Sequence, residues 1–247
     1  MAECLDTIAQ QAAKENDTYV GFLERLLDVE VSARYESDVA MKIKLARFPF
    51  LKTLDAFDFA FQPSINERQV QELATMRFVA SSENVLLLGP PGVGKTHLAI
   101  ALGMAAIAQA ISVYFVTIVD LIEMVHRDAK EDRLGHRLNT LCRPKLLILD
   151  EMGYFPLDRQ AAQFLFQLVS RRYQKGSIIL TSNKSYGEWG DIFSDQVLAA
   201  AILDRLLHFS TTLNIRGQSY RLREKRKAGV FTDLADSQGG PTQEPNT

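Results

Sequence analysis

Val85-Leu-Leu-Leu-Gly-Pro-Pro-Gly-Val-Gly-Lys-Thr96 starts as an apolar run and finishes as a glycine- and proline-rich loop closed by a lysine and a hydroxyl. Residues 85–88 read as a buried strand, and residues 95–110 as the helix that follows. Between them, Gly89 to Thr96 fits GxxxxGK[ST] in the setting that pattern requires. Gly89, Pro90, Pro91, Gly92, Val93 and Gly94 form a tight loop whose amides face inward, and the helix behind them adds its positive end toward phosphate oxygens. Lys95 supplies a mobile charge for the β- and γ-phosphates, Thr96 offers its hydroxyl to Mg2+, and His97 completes the segment assigned to ATP. A turn that merely joined strand to helix would have no need of the lysine and hydroxyl in register.

Leu146-Leu-Ile-Leu-Asp150-Glu151 supplies the second half of the site. A carboxylate ending a buried apolar strand is costly to desolvate unless it faces a cation or hydrogen-bond donors. Asp150 is therefore expected to hold Mg2+ through its water shell, and Glu151 to polarise the attacking water as general base. GTPases usually orient water with a glutamine elsewhere, and small-molecule kinases must exclude water, so a consecutive Asp-Glu favours ATP hydrolysis. The alternative is a strand end capped by solvated acids. In Ile178-Ile-Leu-Thr-Ser-Asn183 another apolar strand ends in polar residues. In a parallel sheet that end shares an edge with the phosphate loop, so Asn183 either bonds the γ-phosphate or its water, or starts a turn.

Working outward, apolar strands at 85–88, 113–116, 146–149, 178–181 and 209–215 alternate with helices at about 95–110, 118–141, 159–173 and 195–207. This alternation predicts an α/β fold with a five-stranded parallel sheet core flanked by helices. Residues 1–54 read as a small helical N-terminal domain, with Leu5, Ile8, Ala9 and Ala12, then Val20, Leu23, Leu26 and Leu27, at helical spacing. An aromatic, proline-punctuated connector follows, Phe48-Pro-Phe and then Phe57-Asp-Phe-Ala-Phe-Gln-Pro, which suits a segment laid across a surface. The ATPase domain is placed at 55–231 and a disordered tail, rich in Gly, Pro, Gln, Ser and Asn, at 232–247. Ser64-Ile-Asn-Glu67 fits a capping box that would open a helix through about residue 80.

Composition bounds the rest. Of 247 residues, 47% are hydrophobic and 23% charged, as in an ordinary folded globular protein rather than a disordered one. Cys4 and Cys142 lie far apart without a CxxC spacing, which argues against a disulfide framework or structural zinc. No apolar run approaches the roughly 18 to 20 residues that cross a bilayer, so no membrane is involved and the cytoplasm is the expected location. A net charge of −2 excludes a protein that is basic throughout, but not a local patch. Arg216, Arg221, Arg223, Lys225, Arg226 and Lys227 stand against Glu224 alone, and Arg34, Lys42, Lys44 and Arg47 make the second half of the N-terminal segment basic. Such cations either grip a nucleic-acid backbone or form solvated helix faces. No helix-turn-helix, zinc finger or RNP-like motif is evident, so binding should be largely sequence-independent. Tyr186 and Trp189 either touch a partner or anchor a packed loop.

Gly89 to Thr96, Leu146 to Glu151, Thr181 to Asn183, and Ala201-Ile-Leu-Asp-Arg-Leu-Leu-His208 through Arg216-Gly-Gln-Ser-Tyr-Arg221 together resemble the IstB-type transposition helper ATPases of the AAA+ class, relatives of the DnaC and DnaI helicase loaders. The likeness runs from about Leu45 to Lys227, and Leu54-Asp-Ala-Phe-Asp-Phe-Ala-Phe-Gln-Pro-Ser-Ile65 and Gly217-Gln-Ser-Tyr-Arg221 are its most distinctive stretches. The resemblance implies a homo-oligomer with ATP at subunit interfaces, assembled on double-stranded DNA and serving a transposase. It implies that Arg205 is a finger reaching a neighbour's γ-phosphate and that Arg221 senses ATP in its own subunit. From the residues alone, the alternative reading is that Arg205 is a snorkelling surface arginine and Arg221 one basic residue in a crowd. Two other functions stay open: a helicase loader acting in DNA replication, and a small-molecule P-loop kinase.

Overall fold

The computed structural model describes residues 2–193 and 195–227. Its helices are α1 (Ala2–Lys14), α2 (Tyr19–Ala46), α3 (Glu67–Ala74), α4 (Arg77–Ala80), α5 (Lys95–Ala108), α6 (Ile118–Lys130), α7 (Leu134–Cys142), α8 (Arg159–Arg172), α9 (Trp189–Phe193), α10 (Gln196–Leu207) and α11 (Tyr220–Lys227). The strands β1 (Asn84–Leu88), β2 (Val113–Thr117), β3 (Leu146–Met152), β4 (Ser177–Ser182) and β5 (Ser210–Asn214) lie in the order β2-β3-β4-β1-β5, and every pair is parallel. A parallel sheet needs cover on both faces, which is why β1, β3 and β4 are buried at successive positions rather than at alternate ones, while β5 at the edge buries Leu213 alone of its five residues. Leu147, Leu149, Ile178 and Leu180 pack under α6 to α10, while Leu146, Ile148, Val85 and Leu87 pack under α3, α4 and α5.

The five strands fall where the apolar runs put them, and β3 runs on through Asp150 and Glu151 to Met152. Two helices differ from expectation. The capping box at Ser64 does not form: the Ser64 hydroxyl accepts the Arg216 backbone N–H from across the fold, and Asn66 caps α3 by accepting from Gln69. That helical stretch also breaks at Met76, whose φ of 61° is left-handed. The helix expected over 118–141 divides into α6 and α7 at Asp132, φ 52°, around the buried carboxylate of Asp128, which Arg137 holds at 2.6 Å. No glycine or proline marks either break.

The N-terminal segment is helical throughout most of its length. Thr18 caps α2, and the far end of that helix is tied to the sheet domain: Tyr35 donates to the Ala108 carbonyl at 2.9 Å, Ala46 is fully buried, and Arg47 lies 5.4 Å over the Tyr114 ring. The stretch expected to be a tail, 232–247, lies outside the described residues.

Candidate nucleotide site

Because β4 lies between β1 and β3, the phosphate loop and the acidic pair flank the end of β4 on one sheet edge. Ligands of open parallel α/β sheets gather at the carboxyl ends of the strands. The loop's glycines are needed as glycines. Gly92 and Gly94 have φ of 81° and 100°, and a Cβ on either would meet Ser219 Oγ at 2.1 Å or Phe57 Cε2 at 2.6 Å. The loop is thus pressed from one side by the connector and from the other by the residue before α11.

Lys95 is buried, and its Nζ donates to the carbonyls of Gly89 at 2.6 Å and Pro90 at 2.8 Å. Burial pushes its ammonium down to about 8, with Asp150 and Glu151 opposing that shift and Arg221 adding to it. Thr96 Oγ1 sits 3.0 Å from both carboxylate oxygens of Asp150. Asp150 is 2% exposed, and burial raises its carboxyl above the usual range against the pull of Thr181, Thr96 and Lys95. A hidden carboxylate with this cost gains most from a cation placed beside it.

Thr181, not foreseen from the sequence, joins the two acids. Its hydroxyl donates to Asp150 Oδ1 at 2.5 Å and accepts the Glu151 backbone N–H at 2.9 Å. The register of β3 against β4 slips between Leu149 and Met152, and Glu151 takes a left-handed φ of 66°. This irregularity turns the Glu151 side chain onto the cavity wall while Asp150 stays fixed toward Thr96. Thr181→Val keeps the volume but removes both bonds. It should lower stability by about 1 to 3 kcal/mol in denaturant unfolding and reduce turnover more than nucleotide affinity, while Thr181→Ser recovers both.

A cavity of about 250 Å3 opens over the loop, lined by Gly92 to His97, Glu151, Thr181, connector residues including Phe50, Phe57 and Gln62, and Tyr220 and Arg221 at the start of α11. His97 Nε2 is 3.0 Å from the Thr53 carbonyl and its ring meets Phe57 edge-on at 5.1 Å; burial lowers its pKa. Arg221 therefore reaches the site. Asn183 does not line this cavity: its backbone N–H donates to the Met152 carbonyl at 3.4 Å, and its buried side-chain Oδ1, beside Gly153, has no hydrogen-bond partner among the described residues. Arg205 is also away from its own cavity, donating to the Ala201 carbonyl with its guanidinium 4.8 Å over the Phe166 ring. Trp189 is fully buried against Tyr186 and Phe193, so it is a packed loop anchor.

The basic residues are more engaged than their sequence suggests. Arg34 pairs with Glu30 and Lys42 with Asp38, each at 2.6 Å, whereas Lys44 and Arg216 are exposed. Arg223 pairs with Asp58 at 3.3 Å and lies 4.5 Å over the Phe61 ring. Lys225, Arg226 and Lys227 belong to α11, and their side chains lie outside the described residues.

A GxxxxGKT loop after β1, an acid pair at the end of β3 two strands away, and the order β2-β3-β4-β1-β5 define a P-loop protein of the AAA+ type. Likeness to solved structures agrees on the fold. DnaI superposes with a TM-score of 0.55 at 22% identity over 71% of this chain and 92% of that one. AMPPCP-bound DnaA from Aquifex aeolicus gives 0.56 at 19% identity over 72% of this chain and 55% of that one. The family profile described as "IstB-like ATP binding protein" matches residues 1–228, and the chain belongs to that family. It is 52% identical over 228 residues to the protein named for ATP binding in insertion sequence IS21 of Pseudomonas aeruginosa, covering 92% of this chain and 86% of the relative. It is 50% identical over 226 residues to the corresponding protein of IS5376 from Geobacillus stearothermophilus, covering 92% and 90%. Among the described residues no helix is long and apolar enough to cross a membrane.

Proposed function

We propose that this ATP-binding protein hydrolyses ATP with Mg2+, assembles on double-stranded DNA as a homo-oligomer, and recruits or stimulates a transposase. The observation that carries hydrolysis is Glu151 on the cavity wall, one residue from an Asp150 clamped by Thr96 and Thr181. The donor set fits a nucleotide with its ion. Lys95 rests on two loop carbonyls that a phosphate can replace, and Thr96 and Asp150 offer oxygen ligands of the kind Mg2+ shares with water and phosphate. Mg2+, when bound, neutralises charge that builds on the β- and γ-phosphates. The chain's own residues do the remainder: loop amides and Lys95 hold the phosphates, Glu151 accepts a proton from water, and Arg221 bears on the nucleotide from α11. Asn183 would reach the water or γ-phosphate after a rotation of its side chain, and Arg205 would serve a neighbouring subunit.

The domain division at residue 54 belongs to the same proposal, with Arg34, Lys42, Lys44, Arg47, Arg216, Lys225, Arg226 and Lys227 as the DNA contacts. The relatives at about half identity are named for insertion sequences, whereas likeness to DnaI rests on fold alone, which favours transposition over helicase loading. The test is phosphate release from Mg-ATP with and without duplex DNA and the cognate transposase. Stimulation by both is expected, and capture of a replicative helicase with no preference for duplex would overturn the transposition assignment. Anisotropy titrations should give similar affinities for unrelated duplexes, with a log–log salt slope steeper than about −3, since each neutralised phosphate adds about −0.9. A flat slope removes the backbone-gripping role of these cations.

A further inference from the structure

The segment leading into α11 is stitched to the connector at several points that the ATP motifs do not require. The Arg216 N–H donates to Ser64 Oγ at 2.9 Å, Gln62 Nε2 donates to the Gln218 carbonyl at 3.0 Å, and Tyr220 meets Phe61 edge-on at 5.3 Å. Arg223 closes this seam, with its Nη1 3.3 Å from Asp58 Oδ2 and its guanidinium over the rings of Phe61 at 4.5 Å and Tyr220 at 5.8 Å. On the loop side, the Tyr220 N–H donates to the Gly92 carbonyl at 2.9 Å and Ser219 Oγ crowds Gly92. Tyr220 and Arg221 thereby become walls of the cavity shared with Asp58 and Gln62.

We propose that Arg223 is a positioning residue for nucleotide binding: by clasping Asp58, Phe61 and Tyr220 it holds the first turn of α11 against the phosphate loop, where Arg221 can reach ATP. This rests on the ATP-binding role of the cavity. It moves Arg223 out of the set of DNA contacts suggested by its place in a basic run, since its charge is already matched and its planar head already stacked. Guanidinium stacking is direction-dependent in a way a lysine ammonium cannot reproduce.

The test is a double-mutant cycle on the full chain, Arg223→Ala, Asp58→Asn and the pair together, read by affinity for a fluorescent ATP analogue and by the salt slope of duplex binding. Both side chains are partly exposed, so the fold should survive, and a thermal melt checks it. Each single change should weaken the analogue about three- to tenfold, as expected for a surface ion pair reinforced by stacking. The double variant should be no weaker than the worse single, Arg223→Lys should recover only part of the loss, and the salt slope should stay unchanged. Wild-type nucleotide affinity in Arg223→Ala, a slope shallower by about 0.9, or fully additive losses in the pair would each overturn the clasp. Failure of the wild-type protein to bind the analogue would instead sink the ATP reading on which it stands.

Discussion

Glu151→Gln should retain ATP and lose turnover by about 10² to 10⁴, the range ascribed to a positioned general base. The geometry explains why the two properties separate. Binding is assigned to the loop amides, Lys95, Thr96 and Asp150, none of which is held by a hydrogen bond to the Glu151 side chain; Thr96 is joined to Asp150, and Asp150 to Thr181. Glu151 itself is placed by its backbone, through the left-handed φ and the bond from its N–H to Thr181. Glutamine preserves that backbone and the side-chain length but cannot take a proton from water. Phosphate release under saturating Mg-ATP measures the loss, and analogue affinity within about threefold of wild type shows that the cavity is intact, as expected when only an interaction of the reacting water is removed. Steady-state turnover close to wild type would show that another group activates the water.

How far the sequence carried this site depends on the range of the interactions. Loop, strands and acid pair were legible because each is a local pattern with one dominant cause: apolar runs for buried strands, glycines for the tight turn, a carboxylate where a cation must come. The Ser64 capping box failed for the opposite reason. The motif was present locally, but Ser64 lies against Arg216, 152 positions away, and the tertiary bond took its hydroxyl. Thr181 was invisible for a similar reason: a threonine in an apolar strand becomes a bridge between two acids only once β4 is known to lie beside β3. Charge counting also missed that Arg223 is spoken for, since its partner Asp58 is in the connector. The connector's aromatic character pointed to a surface-laid segment, and the surface it covers includes the nucleotide loop, with Phe57 against Gly94.

Arg205→Ala should abolish oligomer-stimulated hydrolysis, by about 10³ to 10⁵ if Arg205 acts as a finger in trans, while leaving nucleotide affinity unchanged. Within one chain its guanidinium is held by Phe166 and the Ala201 carbonyl, outside the cavity formed by the same subunit. Direct contact with a γ-phosphate would therefore have to be made in another copy. Its removal forfeits a cation–π contact of about 0.5 to 1 kcal/mol, too little to unfold the domain. A mixture separates the trans role from a packing role. Arg205→Ala retains Glu151 but lacks the finger, and Glu151→Gln retains the finger but lacks the base, so each should be inactive alone. Mixed, an Arg205→Ala subunit beside a Glu151→Gln subunit assembles one complete site from two defective chains, and part of the hydrolysis should return. A mixture as inactive as its components, under conditions where the variants co-assemble, would confine Arg205 to supporting α10 against α8.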